Sequence, residues 1–422
     1  MSGLVDDTGC MGTGHVARQV VLVLSSLGVL RWLWQAVAVV RGIPTLPDLL
    51  SPAQRALDLT REAEALPEPA TNMLPDLTVI VPACNEEASI QATLRSLLAS
   101  TEVRLQIVAV DDRSTDRTGA LMDEIAAEAH AAGPHTIEVI HNRELPVGWL
   151  GKTHALALAT ARATAPWLLF TDGDVTFDSR AVALTLEYAR RERVDHVVLI
   201  LTLVLTGIGE AAVFAALQAL GNFRNRLWKA SDPKARDFFG AGGFNLVRRY
   251  VYEQVGGFEA LRMEVVEDLR LAWKIKRAGF AQRIVLGPGL ARIRWINGAL
   301  GIVGLIEKNG FAAMRYNVAV SLLLFFSFSM AIVLPLAAIA VGGWGIVLGL
   351  TIYALMAIAY AANRRVTQVS PWLVLLFAPA TSIVLFALMR SMFLTLGRGG
   401  VEWRGTRYSL DELRRNAGPW WW

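Results

Sequence analysis

Cysteine and charge are what this 422-residue chain has little of. Its two cysteines, Cys10 and Cys84, are far apart, and one of them lies in a polar N-terminal stretch. No disulfide framework is available, so stability must come from burial. Charged residues make up only 18% of the chain against 54% hydrophobic, a balance that excludes disorder and fibrous repeats. The formal net charge is +4 and no basic run is present, which excludes nucleic acid as the partner. A mild basic excess suits a membrane surface or an anionic substrate.

The apolar residues are concentrated at the two ends. Val20–Val40 is nearly continuous between Arg18 and Arg41, long enough for a bilayer core of about 30 Å. Arg31 and Gln35 interrupt it, which leaves an interfacial or buried helix as the alternative to a crossing. Arg41-Gly42-Ile43-Pro44 follows where a signal peptide would end in small residues, so the run reads as a retained anchor behind a polar tail, 1–19. Val318–Val341 and Trp344–Ala362 carry no charge and are separated only by Gly342-Gly343, the pattern of a membrane hairpin. Trp372–Met389 is also uncharged but contains Pro379. Arg364 and Arg365 precede this segment, while Arg390, Arg398, Arg404, Arg407, Arg414 and Arg415 follow it. The positive-inside rule places both flanks in the cytoplasm, which favours a re-entrant hairpin around Ala378-Pro379 over a kinked third span. Residues 42–75 read as a linker with a short helix over Pro52–Ala65, 300–316 as an interfacial helix, 318–396 as the membrane region, and 397–422 as a basic tail.

Between the apolar ends lies a body of soluble composition, 76–296, of the α/β class. Leu77–Val81, Leu105–Val110, Ile137–His141 and Trp167–Thr171 are short β-branched or apolar runs, each with helical periodicity before the next. Repeated βα units imply a mostly parallel sheet flanked by helices. Ligands bind beyond the carboxyl ends of such strands, where Asn85-Glu86, Asp111-Asp112 and Asp172-Gly173-Asp174 stand. Val197–Leu220 reads as a buried strand and then a helix, either core or interfacial.

Each polar cluster is open to two readings. Asp172 and Asp174 on a glycine turn suit one divalent cation completed by phosphate and water, or serve an ordinary turn. Asp111-Asp112 is a ligand site, or an N-cap and Asx-turn for a helix beginning near Arg117. Lys152, after Gly148 and Gly151, meets a phosphate or is simply solvated. Glu264, Glu267 and Asp268 open a helix that runs to Ala278: they cap it, or Asp268 is a general base beside Glu267. The glycine-rich turn Phe239–Phe244 lets backbone approach a ligand closely.

In order, Val-Pro-x-x-Asn-Glu-Glu, Val-Asp-Asp-x-Ser-x-Asp-x-Thr, Gly-Lys, Thr-Asp-x-Asp, Gly-x-Gly-Gly and Glu-Asp resemble the family 2 inverting glycosyltransferases of GT-A fold over about Asp76–Trp295. The resemblance implies that Pro82, Glu86 and Asp112, with neighbouring Asp111, hold the uridine of a nucleotide-sugar. It further implies that Asp172 and Asp174 hold ribose, diphosphate and Mg²⁺ or Mn²⁺, and that Asp268 takes the acceptor hydroxyl proton. Arg292-Ile-Arg294-Trp295, Glu307–Phe311 and Val401–Tyr408 look like the membrane subgroup called hopene-associated or carotenoid glycosyltransferases, distantly similar to ceramide glucosyltransferases. Processive synthases carry Gln-x-x-Arg-Trp, whereas Ala291 stands where that Gln belongs, so single-sugar transfer is expected. Arg294 and Trp295 are expected at the diphosphate or the acceptor.

The expectation is therefore an integral enzyme of the inner membrane with a cytoplasmic catalytic domain. It would move one sugar, with inversion, from a UDP-hexose to a lipid such as a carotenoid, hopanoid or sphingolipid-like molecule. A nucleotide-binding membrane scaffold or transporter and a processive polysaccharide synthase are the alternatives.

Overall fold

The computed structural model describes residues 8–52, 75–129, 133–223, 225–403 and 405–418. The chain begins with α1 (Thr8–Gly42), followed by β1 (Leu77–Ala83), α2 (Ile90–Leu98), β2 (Leu105–Asp112), α3 (Thr118–Ala129), β3 (Thr136–Asn142), α4 (Gly151–Thr160) and β4 (Trp167–Phe170). Next come β5 (Val175–Phe177), α5 (Ala181–Arg191), β6 (His196–Leu199), β7 (Thr202–Leu203), α6 (Ile208–Gly221), β8 (Asn245–Arg248), α7 (Arg249–Gln254), α8 (Glu267–Arg277), β9 (Gln282–Val285) and β10 (Ala291–Ile293). The last part holds α9 (Gly301–Ala313), α10 (Val318–Ala340), α11 (Trp344–Thr367), α12 (Phe377–Gly397), the hairpin β11 (Gly400–Trp403) and β12 (Thr406–Ser409), and α13 (Leu410–Asn416).

A seven-stranded sheet in the order β3-β2-β1-β4-β8-β6-β9 forms the centre of the body. β1 to β4 run parallel, β8 is antiparallel to both its neighbours, and β9 is parallel to β6. Both faces are covered, which explains the unbroken apolar runs. Val79 and Val81 face α2 and α3 through Ile90, Leu94, Leu97, Met122 and Ile125. Ile80, Val108 and Val110 face α4 and α8 through Ala155, Leu156, Ala159, Leu271 and Ile275. Each such fully buried aliphatic side chain contributes roughly 1.5–3 kcal/mol. A smaller sheet, β5-β10-β7, extends the body at the end of β4.

The first strand continues through Pro82. That proline pairs with Val110 within β1, beyond the last residue joined to β4. The expected polar tail is helical from Thr8: no proline stands before Pro44, and a helix once nucleated extends at one hydrogen bond per residue. Most of the linker, including all but the first residue of the helix expected over Pro52–Ala65, lies outside the described residues.

Among the described residues, four helices are long and apolar enough to cross a membrane. α1, α10 and α11 pack as a bundle, joined by Ser25 Oγ to the Leu334 carbonyl (3.5 Å), Arg31 to Ser327 (3.2 Å) and Arg365 to the Pro44 carbonyl (3.1 Å). The break expected at Ala378-Pro379 is not there. Pro379 falls in the first turn of α12, where its missing N–H has no intrahelical partner to lose, and the helix continues to Gly397. α12 lies along α6 and α9 and shares an apolar cluster with Trp32, Ala216, Ile302 and Met356. The expected basic tail is also folded. Val401, Tyr408, Leu410 and Leu413 pack against Leu150, Met263 and Val265 of the body.

Candidate active site

The carboxyl ends of β1, β2 and β4 bring the acidic clusters to one edge of the sheet. Asp111 and Asp112 close β2, and both are buried. Neither caps the next helix; Asp116 does, accepting the Thr118 N–H (2.9 Å) and its hydroxyl (2.6 Å). Asp111 instead accepts the Ser114 N–H (3.3 Å) and meets His141 (3.1 Å). Asp112 is fully enclosed: Arg113 donates to both its oxygens (3.0 and 3.1 Å) and Asn142 to Oδ1 (2.8 Å). Arg113 and Asn142 carried no sequence signal, because the contacts depend on how β2 and β3 lie side by side.

Lys152 is the junction of the site. It is not solvated: Nζ sits 2.7 Å from Asp172 Oδ1 and 2.6 Å from Glu267 Oε1. Burial opposes its charge, but Asp172, Glu267 and Asp268 outweigh that and raise its pKa. The Asp172-Gly173-Asp174 turn is fixed by Thr93, whose hydroxyl donates to the Gly173 carbonyl (2.9 Å). Asp174 is pushed up to about 7 by burial and by the charges of Asp172 and Glu86. Pro82 is buried at the end of β1 and half-buried Glu86 follows it.

The glycine turn runs between these acids and α8. Thr171 donates to the Gly243 carbonyl (2.8 Å). A Cβ at Gly242 would stand 2.8 Å from Asp172 Oδ2 and 3.2 Å from Lys152 Nζ, and one at Gly240 would collide with the Asp268 carbonyl. Glu267 is buried and Asp268 half-buried in the first turn of α8, whose last turn carries Lys274, Lys276 and Arg277, as the helix dipole favours. Asp268 Oδ1 accepts the Leu269 N–H (2.7 Å). Burial and then Glu267 raise the Asp268 pKa, against the pull of Lys152.

A family model described as glycosyl transferase family 2 matches residues 78–256. The chain carries a family 2 glycosyltransferase domain. The domain is of an enzyme type, and its mainly parallel sheet has the GT-A layout expected from the motifs. The matched stretch ends before Glu267 and Asp268, whose place in the site rests on their contact with Lys152 and the glycine turn. The chain is 29% identical over 118 residues to a 4,4'-diaponeurosporenoate glycosyltransferase of Staphylococcus haemolyticus, covering 28% of this chain and 29% of that protein. It is 33% identical over 101 residues to the same-named protein of Staphylococcus aureus (strain MRSA252), 24% of each chain. The match thus spans about a quarter of these relatives' length. Among solved structures, a mannosyltransferase of Pyrobaculum calidifontis in complex with GDP-Man and Mn²⁺ is similar with a TM-score of 0.48 at 20% identity, covering 86% of this chain and 99% of that one.

Arg294 and Trp295 are less tightly gathered into the family 2 site. The antiparallel register Ile293↔Val175 puts residue 294 level with Asp174. Both side chains are exposed, and Arg294 bonds Thr206 (3.4 Å).

The acidic edge suits a divalent cation. Among the described residues no group of three or more His, Cys, Asp or Glu surrounds one point. Asp172 and Asp174 instead form a two-carboxylate edge of the kind that holds Mg²⁺ or Mn²⁺ together with substrate phosphates. Burial, and then the charges of Asp172 and Glu86, raises the Asp174 pKa, a cost that a bound cation would relieve.

Proposed function

We propose that the protein transfers one sugar, with inversion, from a nucleotide-diphosphate sugar, a UDP-hexose, to a hydroxyl or carboxyl of a lipid acceptor. The observation that carries this reading is Lys152, held between Asp172 on the donor side and Glu267 beside Asp268 on the acceptor side. One buried cation thereby links the groups that serve the leaving diphosphate to the group that serves the nucleophile.

Pro82, Glu86 and Asp112, with Asp111 beneath, form the base-binding wall, and Asp172 and Asp174 hold ribose and diphosphate and would hold Mg²⁺ or Mn²⁺. When bound, such a cation would supply positive charge to the leaving diphosphate. Asp268 accepts the acceptor's O–H proton as the new O–C1 bond forms and the C1–O bond to phosphate breaks, which inverts C1. Its raised pKa gives the carboxylate the basicity to take that proton. Lys152 balances the Asp172 and Glu267 charges so that Asp268 ionises as the base.

The four apolar helices and the exposed faces of α1, α10 and α11 support a membrane acceptor. So does α9, which lies between the cleft and α10 in the chain. Arg294 and Trp295, exposed just before it, line the acceptor's way in. The catalytic domain then faces the cytoplasm from the inner membrane, where nucleotide-sugars are made.

The test is sugar transfer by the detergent-solubilised full-length protein from radiolabelled UDP-hexoses to a membrane lipid extract. Labelled lipid that disappears with Asp268→Asn supports the reading. Labelled polymer, or no turnover of any nucleotide-sugar, overturns it.

A further inference from the structure

The reaction above makes no use of the hairpin β11–β12, although it reaches the donor side of the cleft. It leaves α12 through Gly399, whose φ of +64° turns the chain back, and pairs Val401 with Tyr408 and Glu402 with Arg407. Arg113, which holds both oxygens of Asp112, also donates from Nη1 to Thr406 Oγ1 (3.3 Å). Tyr408, two residues on in β12, shares an apolar cluster with Leu150, the residue before Gly151. Gly151 opens α4 one residue before Lys152. A side chain at 151 has no room, since its Cβ would lie 2.6 Å from Asp112 Oδ2 and would strike the Arg113 guanidinium.

The hairpin is also clamped from behind. Tyr408 is 6% exposed, in an apolar cluster with Leu150 and Met263. Buried Arg315 bonds both oxygens of Glu264 (3.1 and 2.9 Å) and the Gly418 carbonyl, and Arg414 bonds the Tyr316 carbonyl (3.3 Å). Glu264 lies three residues before Glu267, so the C-terminal segment is fastened to the start of α8 as well as to the donor loop.

We propose that Thr406 is a positioning residue for the nucleotide-sugar: it orients Asp112 through Arg113. The inference rests on the glycosyltransferase reading. Its side chain need not touch the donor. Arg113 without Thr406 retains its hold on Asp112 but is free to swing the pair.

The experiment uses full-length protein in detergent with Mn²⁺. It compares wild type, Thr406→Val and Thr406→Ser by calorimetry with UDP, by donor KM and kcat, and by melting temperature. Losing one hydrogen bond that orders a binding group is expected to raise the UDP Kd and donor KM about three- to ten-fold. kcat should change less than KM, acceptor KM should hold, and Thr406→Ser should restore the wild-type values. Donor KM within two-fold of wild type in Thr406→Val overturns the proposal, even if melting temperature falls. A raised KM that serine does not rescue also overturns it. Failure of the wild type to bind UDP or turn over any nucleotide-sugar rejects the functional reading itself, an outcome separate from either.

Discussion

Asp268 and Asp174 both hold their protons above the ordinary carboxylate range, and burial is the first cause in each. They differ in what relieves them. For Asp268 relief is the acceptor's proton, so Asp268→Asn should keep fold and UDP binding while turnover falls about 10²-fold or more. Single-turnover rates beside calorimetry check this, and unchanged turnover removes Asp268 from the role. For Asp174 relief is a cation, which gives stability a pH dependence in the metal-free protein. Its folded pKa, about 7, lies above the unfolded value of about 3.9, so both states are protonated at low pH. As pH rises between those values the unfolded chain ionises first, and folded stability is lost across that window. In EDTA, Asp174→Asn should therefore melt higher than wild type at pH 8, with the difference closing towards pH 4; Mn²⁺ should stabilise wild type alone. Melting curves at both pH values decide it, and a pH-independent difference would show that the carboxylate is not strained by its neighbours.

The glycine turn between β7 and β8 exerts its effect by closeness. Gly242 does not have a left-handed φ, so alanine meets no backbone strain there, only Asp172 and Lys152 at the distances given above. Gly242→Ala should leave the melting temperature nearly unchanged while it displaces the Lys152–Asp172 pair and raises donor KM about ten-fold or more. Donor KM at the wild-type value would mean that the pair shifts without cost. Elements of this kind were readable from sequence because each carries its own signal: β-branched runs, helix periods, and turns rich in Gly and Asp. The sequence leaves Lys152 open between phosphate and solvent, because its partners lie at least 20 residues away and on two other elements. Arg113, Asn142 and Thr406 carry no signal as site residues, because β3 and the C-terminal hairpin meet the end of β2 only in the folded chain. Pro379 misled because proline breaks a helix only in its interior, and sequence alone did not place the helix start two residues earlier.

Across the whole molecule, the basic residues on both sides of α12 and the helix's own continuity reconcile through its contacts. Before α12, Gln368 bonds Thr202 of the body (3.5 Å); after it, the hairpin bonds Arg113 of the body. A helix whose two flanks are both fastened to one soluble domain is expected to leave the chain on one side of the bilayer, even though its length of 21 residues would suffice to cross. Among the described residues, α10 is hydrogen-bonded to the body only through Arg315 before it and α11 only through Gln368 after it. Arg31 meets Ser327 and Arg365 meets the Pro44 carbonyl, so α1 runs antiparallel to α10 and parallel to α11, with the turn at Gly342-Gly343 at the end away from the body. We therefore expect three crossings, with α12, which packs against α6, α9 and α10, returning the chain on the side of the catalytic domain. In a cysteine-free background, Ser370→Cys and Gly397→Cys, both exposed positions, should react with an impermeant maleimide only from the side of the catalytic domain, and Trp344→Cys only from the other. Labelling of Ser370→Cys and Gly397→Cys from opposite sides would make α12 a true span. Tyr408 and the acceptor route could then not share one face of the membrane, and the hairpin's hold on the donor site would fail with the topology.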